Sequence, residues 1–270
     1  MTKRIDLLRV LKQTSRTFYI PISRLPAPLQ DTIGSAYLCM RSIDEIEDHP
    51  SLDGKTKAFL LHRLSWALQA AVARNGVDNS QVDILFASYQ RLLPEVTLRI
   101  TDWLARIPTG IAPRVWDATI AMADRMAFWV ENNWQILNED DLNSYTFSVA
   151  GSVGLMICDI WTWFDGTQID REAAIHLGRG LQLVNILRNR EEDVSRGVDF
   201  FPVGWTEEQM VAYARTNLEL AKSSIATISR DAFKGLVEIP LALAEATLEA
   251  LENGQPKLTR SQVLQITGHV

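Results

Sequence analysis

Leu181-Gln182-Leu183-Val184-Asn185-Ile186-Leu187-Arg188-Asn189-Arg190-Glu191-Glu192-Asp193 is the stretch whose reading decides the fold class. At 100° per residue, Gln182, Asn185, Asn189, Glu192 and Asp193 fall within about 100° of one another, while Leu183, Val184 and Leu187 take the other sides. A helix that is apolar nearly all round except for one polar stripe is buried among other helices. Buried polar groups need partners. The stripe therefore faces a polar cavity or forms a structural hydrogen-bond layer, and the residues alone leave both open.

The same period runs through the rest of the chain. Helical runs are predicted at Pro28–Asp48, Lys55–Arg74, Gln81–Ile107, Ala112–Leu137, Asp140–Phe164, Arg171–Asp193, Thr206–Ile228 and Asp231–Glu252, after an amphipathic opening at Ile5–Leu11. Asn75-Gly76, Pro108-Thr109-Gly110, Asp165-Gly166, Gly197, Pro202 and Asn253-Gly254 punctuate them. Pro94 and Pro240 lie inside runs and predict kinks or breaks. Val198–Phe201 is too short to found a sheet and reads as a turn. The expectation is one all-α domain over residues 1–270, with eight to ten helices.

Composition excludes several classes. The 270 residues are 47% hydrophobic and 22% charged, which rules out compositional disorder. A net charge of −6 argues against nucleic acid as a partner. Two cysteines, Cys39 and Cys158, build no disulfide framework and fit a reducing compartment. The N-terminal stretch lacks the apolar core of a signal peptide. The apolar stretch Val153–Phe164, broken by Asp159, falls short of the roughly 20 residues of a membrane span. The expected location is cytoplasmic, without a transmembrane anchor. Four isolated histidines and the lack of H-E-x-x-H, C-x-x-C and G-x-S-x-G fail the metal-hydrolase and nucleophile templates. No Rossmann fingerprint supports nucleotide binding, although its absence does not exclude NADPH.

A second acidic segment offers chemistry instead. In Arg41-Ser42-Ile43-Asp44-Glu45-Ile46-Glu47-Asp48, Asp44 and Asp48 are one helical turn apart, with Tyr37 and Arg41 on the same face. Like charges at this spacing destabilise a helix by a few tenths of a kcal/mol (about 0.2–0.5). A divalent cation between them reverses that sign, and oxygen-only ligands favour Mg²⁺. A solvated acidic helix end is the plainer reading. Paired with the stripe of the first segment, the two motifs suggest a Mg²⁺–diphosphate site, with Arg41 and Arg188 taking the remaining diphosphate charge.

These motifs resemble those of the squalene/phytoene synthases, the head-to-head isoprenoid synthases. Ser15-Arg16-Thr17-Phe18-Tyr19 is similar to the family's S-R-S-F-Y signature, and Tyr37 through Asp48 to its Y-x-x-x-R-x-x-D-x-x-x-D motif. Tyr145 through Gly154 resembles Y-x-x-x-V-A-G-x-V-G, and Gln182, Asn185 and Arg188 match Q-x-x-N-x-x-R. Arg196-Gly197 and Pro202 fit the trailing R-G-x-x-x-x-P. Asn189 departs from the pattern by standing where the second motif has its first aspartate.

The resemblance implies an all-α helical bundle around a cavity, and coupling of two prenyl diphosphates through a cyclopropyl intermediate. It implies Ser15, Arg16, Thr17, Tyr37, Arg41, Gln182, Asn185 and Arg188 as diphosphate ligands. It places Asp44, Asp48, Asn185, Asn189, Glu192 and Asp193 around Mg²⁺ (or Mn²⁺), with Glu192 compensating for the uncharged Asn189. Tyr145, Asp44, Asp48 and Arg188 are the expected catalytic residues, Tyr145 guiding proton removal. A core tyrosine is the plain alternative for Tyr145. The small residues around Gly151 leave room for prenyl tails or allow close helix packing. Asp44–Asp48 and Phe200-Phe201-Pro202 with Trp205 look nearer to the squalene synthase versions. That favours a C15 farnesyl substrate, with NADPH as a candidate reductant and peripheral membrane contact for product release. The alternatives are phytoene synthesis from a C20 substrate, a catalytically silent binding or assembly factor, and a cyclase acting on one prenyl diphosphate.

Overall fold

The computed structural model describes residues 2–73, 79–225, 231–255 and 257–269. Every regular element among them is helical: fourteen α-helices, one 3₁₀ turn and one π segment. The all-α expectation holds, and Val198–Phe201 is irregular chain as read. The Asn75-Gly76 breaker, the end of the run toward Ile228 and the side chain of Arg16 lie outside the described residues. Two compact units emerge, Met1–Asn133 with Asp159–Thr167, and Trp134–Cys158 with Gln168–Val270.

The first unit contains α1 (Thr2–Thr14), α2 (Arg16–Ser23), α3 (Ala27–Glu47), α4 (Gly54–Ala73), α5 (Asn79–Phe86), α6 (Glu95–Leu98), α7 (Ile100–Arg106) and α8 (Ala112–Glu131). Helix α3 is its axis, packed against α1, α2, α4, α6, α7 and α8. It buries Leu29, Ile33, Ala36, Leu38, Ile43 and Ile46, so apolar residues leave it on nearly every side. Ser42, also buried, donates to the carbonyl oxygens of Leu38 (2.7 Å) and Val96 (2.8 Å). Thr97 donates to the Ser42 carbonyl at 3.1 Å, and Trp103 Nε1 to that of Val96 at 2.9 Å. These bonds satisfy buried polar groups and pin the C-terminal half of α3, where the acidic motif sits.

Proline and asparagine decide where this unit departs from the predicted runs. The run Gln81–Ile107 separates into α5, a 3₁₀ turn, α6 and α7, with Pro94 at the N-cap of α6. Such splitting, with α14 below, raises the helix number above the eight to ten expected. Helix α8 ends at Glu131 rather than near Leu137. Asn132 Nδ2 donates back to the Phe128 carbonyl at 2.7 Å, and Asn133 and Trp134 turn left-handed at φ 51° and 49°.

The second unit contains α9 (Glu139–Thr146), the π segment Phe147–Gly151, the start of α10 (Ser152–Asp165), α11 (Arg171–Ser195), α12 (Glu207–Ile225), α13 (Asp231–Glu252) and α14 (Arg260–His269). Asp170 caps α11 by accepting from the amides of Glu172 and Ala173 at 3.0 and 3.2 Å. Helix α11 packs against α9, the π segment, α12 and α13. Pro240 does not break α13; its neighbours Ile239 and Leu241 are buried, and packing offsets a penalty of about 3 kcal/mol. The unforeseen α14 opens with a capping box, Thr259 and Gln262 bonding each other's amides at 2.8 and 3.3 Å.

Because α9, the π segment and α10 run on continuously, Glu139–Asp165 forms a helix of 27 residues with mean hydropathy 1.4 in its most apolar window. Among the described residues it is the one helix long and apolar enough to cross a membrane. That revises the expectation based on Val153–Phe164 alone. Length and composition are weak evidence for a span, since core helices of soluble proteins meet the same requirement.

Candidate active site

The first acidic motif lies on the last turns of α3. Asp44, Glu47 and Asp48 each offer a carboxylate oxygen, and these oxygens lie within 4.8 Å of one another. Among the described residues no other group of three histidine, cysteine, aspartate or glutamate side chains converges in this way. Burial, then the neighbouring Asp48 charge, pushes the Asp44 carboxyl up to about 7, against the pull of Arg41. The C-terminal end of the helix macrodipole opposes negative charge there as well. A cation would offset all three terms. Glu47, only 4% exposed, was not among the expected ligands. Its i+3 spacing from Asp44 was the available signal.

Arg41 lies one turn earlier. It donates from Nε and Nη2 to Glu45 Oε1 at 2.9 and 2.6 Å, and from Nη1 to Asp44. Tyr37, one turn earlier again, is half-buried with its ring 5.3 Å from that of Phe18. Burial raises its pKa, against the lowering effect of the Ser15 side chain. Ser15 is the N-cap of α2 and accepts from the Phe18 amide at 3.1 Å. The Phe18–Tyr37 ring contact ties the Ser15-Arg16-Thr17 signature to α3, with Thr17 exposed. The structure thus brings Ser15, Tyr37, Arg41, Asp44 and Asp48 into one file.

The second motif, on α11, is arranged differently. Asn185 Oδ1 accepts from Arg188 Nη2 at 2.5 Å and from Asn189 Nδ2 at 3.1 Å, while Arg188 Nε donates to Asn189 Oδ1 at 3.3 Å. Asn189 uses both ends of its amide here, which an aspartate could not do. Asp193 is buried and paired with Arg196, and its carbonyl accepts from the amides of Arg196 and Val198, both at 3.0 Å. Gly197, left-handed at φ 84°, closes this helix end. Glu192 is exposed and Gln182 half-buried.

Tyr145 lies in the last turn of α9, one residue before its end at Thr146, where the π segment follows. It is buried, and its ring stacks on Phe200 at 4.6 Å and 20°. Two sequence motifs, the tyrosine segment and Phe200-Phe201-Pro202, therefore meet through this ring pair. Nearby residues Ile136, Leu137, Arg190, Asp199, Phe201 and Trp205 line a cavity of about 380 Å³. The Arg190 guanidinium lies 3.6 Å from the centre of the Phe201 ring and bonds Asp199 at 3.0 Å. Tyr213, which the sequence reading missed, donates to Asn143 Oδ1 at 2.8 Å and meets Trp205 edge-on. No local spacing signals these long-range pairs.

The family model described as squalene/phytoene synthase matches residues 11–211. The chain belongs to that family. A phytoene synthase of Arthrospira platensis is 28% identical over 206 residues, covering 72% of this chain and 59% of that protein. The squalene synthase of Dictyostelium discoideum is 29% identical over 203 residues, covering 72% and 45%. The chain thus spans about half the length of these two relatives. In fold, it is similar to the TcSQS complex with the ligand BPH1237, with TM-score 0.78, 21% identity, and coverage of 99% of this chain and 86% of that one. A dehydrosqualene synthase gives TM-score 0.67 at 19% identity. Squalene/phytoene synthases are prenyltransferases, and the matched span contains the motifs on α2, α3, α9 and α11.

Proposed function

We propose that this squalene/phytoene synthase homologue is a metal-dependent head-to-head prenyltransferase, coupling two farnesyl diphosphates to a C30 product of the presqualene diphosphate or squalene type. The observation that carries the reading is the convergence of Asp44, Glu47 and Asp48 below Arg41 and Tyr37 on one helix. Three crowded carboxylates with one held near pKa 7 form a hard-oxygen donor set that fits Mg²⁺ or Mn²⁺. Asp44, Asp48 and Glu47 would hold the ion. When bound, such an ion supplies Lewis-acid stabilisation of a departing diphosphate.

The chain's own residues take the remaining roles. Arg41 and Arg188 supply planar, permanently charged donors for diphosphate oxygens. Ser15, Arg16, Thr17 and Tyr37 add donors on the first motif, and Gln182 and Asn185 on the second. The buried Tyr145 ring presents a π face to positive charge on the prenyl chain, and its hydroxyl is the group that guides proton loss. Asn189 and Glu192 would supply oxygen ligands on α11, and Asp193 would do so on exchange of its Arg196 partner. NADPH is kept as the candidate reductant for a squalene-type product, and no step is assigned to it.

A second reading, a catalytically silent binding factor, draws on Asn189 and on the pairing of Asp193 with Arg196. Mass-spectrometric product analysis separates the readings. Purified chain is incubated with farnesyl or geranylgeranyl diphosphate and Mg²⁺, with and without NADPH. A C30 product supports the proposal, and its NADPH dependence tells squalene from presqualene diphosphate. A C40 product indicates phytoene synthesis. Diphosphate release from a single substrate, without coupling, indicates a cyclase. Both substrates returned intact by folded protein favour the silent factor.

A further inference from the structure

Helix α4 buries Leu60, Leu61, Leu64 and Leu68, yet its opposite side is not the usual polar face. Lys55, Phe59, Arg63 and Trp66 fall within about 80° of one another around the helix. All four are exposed, Phe59 at 52% and Trp66 at 58% of their surface. The Arg63 guanidinium lies 5.5 Å from the centre of the Trp66 ring, so the cation and the aromatic face the same solvent. No aspartate or glutamate occurs anywhere in α4, although the whole chain carries a net charge of −6. Two acids reach this face: Glu131 of α8, which bonds His62 at 3.1 Å along its edge, and Asp53 just ahead of α4, whose carboxylate faces the charge of Lys55. Arg63 therefore carries the uncompensated positive charge beside the aromatics.

We infer that this face of α4 rests on an anionic lipid surface. Aromatic side chains flanked by Lys and Arg on an exposed helix face are the composition that partitions into the headgroup region. The charge argues for the same occupant: a basic stripe on an acidic protein is complementary to anionic headgroups, while the rest of the chain is repelled by them. A second copy of the chain is a poorer fit. Two half-exposed aromatics contribute about 200 Å², against roughly 800 Å² per partner in a stable dimer. The stripe carries none of the residues assigned to catalysis, so the inference stands or falls independently of the proposed activity.

The full chain is mixed with phosphatidylcholine vesicles carrying or lacking phosphatidylglycerol, and binding is read by co-sedimentation. Wild type is expected to bind the anionic vesicles and to be stripped from them by high salt. Lys55→Glu with Arg63→Glu should lower the bound-to-free ratio by about 30-fold or more, the equivalent of about 1 kcal/mol per basic residue. Phe59→Ser with Trp66→Ser should lower it by about tenfold or more. Circular dichroism and Tm should stay near wild type, since all four side chains are exposed. Absence of wild-type binding, or unchanged binding by both folded double variants, overturns the inference. Salt-resistant binding overturns it in favour of insertion of Glu139–Asp165. A wild-type dimer that Phe59→Ser/Trp66→Ser converts to monomer in sedimentation velocity overturns it in favour of a second copy.

Discussion

A Cβ placed on Gly178 of α11 would lie 2.4 Å from the Ala150 carbonyl oxygen of the π segment, and one on Gly154 would lie 2.3 Å from the Ala174 carbonyl oxygen. Both obstacles are backbone, so neither can swing aside. The small residues of the tyrosine motif therefore serve close helix packing at these two points. Gly178→Ala should destabilise by about 1–3 kcal/mol or more and lower Tm by several degrees, at roughly 2–4 °C per kcal/mol. Gly235→Ala, where the nearest atom is an Ile239 methyl at 3.9 Å, should be neutral or slightly stabilising through helix propensity. Thermal unfolding of the pair checks the contrast. Equal Tm values would contradict the observed approach of the two backbones.

Asp44 gives the first acidic motif a pH dependence with a defined sign. Its pKa is about 7 in the folded chain against an ordinary 3.8, so between those limits the folded chain holds a proton that the unfolded chain has lost. Its effect on stability is thus absent below the ordinary value and increasingly unfavourable as pH rises toward about 7. Metal binding needs the ionised form, so Mg²⁺ or Mn²⁺ should raise Tm far more above about pH 8 than below about pH 6. At roughly 100 times Kd the gain is about 2.7 kcal/mol. Asp44→Asn should abolish the metal-induced shift while leaving the metal-free protein no less stable at alkaline pH. Calorimetry with and without metal at both pH values tests this, and a pH-independent shift would count against Asp44 as a ligand.

Replacing Asn189 by aspartate restores a carboxylate to the second motif but removes the Nδ2 donor that Asn185 now accepts from. Loss of that hydrogen bond costs about 1 kcal/mol, and the adjacent Arg188 guanidinium compensates part of it. Asn189→Asp should therefore fold normally and show equal or higher turnover at limiting Mg²⁺, with the difference vanishing at saturation. Turnover across a Mg²⁺ titration is the measurement. An unchanged metal dependence in an active enzyme would remove position 189 from the metal site.

What the sequence showed depends on range. The length of α11 and the one-turn spacing of Asp44 and Asp48 are local properties, visible in the apolar period and the acid spacing. The capping box at Thr259 and Gln262 was equally local, and α14 could have been read from it. Burial is not local, which is why Glu47 is absent from the expected ligands. The pairing of Asp193 with Arg196 has the local i,i+3 spacing and could have been read from it. The stacking of Tyr145 on Phe200 joins residues far apart in the chain, and no periodicity encodes it.

That ring pair allows the role of Tyr145 to be tested cleanly. Tyr145→Phe retains the ring that stacks on Phe200 at 4.6 Å and removes only the hydroxyl. The fold should lose no more than about 1.5 kcal/mol, the ordinary contribution of one hydrogen bond. Turnover should fall by about 10²–10⁴ if the hydroxyl moves a proton in the reaction, with KM for the prenyl diphosphate little changed. Tyr145→Leu removes the π face as well and should reduce both stability and turnover, because the stacked pair contributes about 0.5–1.5 kcal/mol beyond its buried area. Steady-state kinetics beside thermal unfolding reads the two effects apart. Full turnover in Tyr145→Phe with impaired Tyr145→Leu would assign the residue to packing and to its ring face alone, and would move the proton-transfer role to another group.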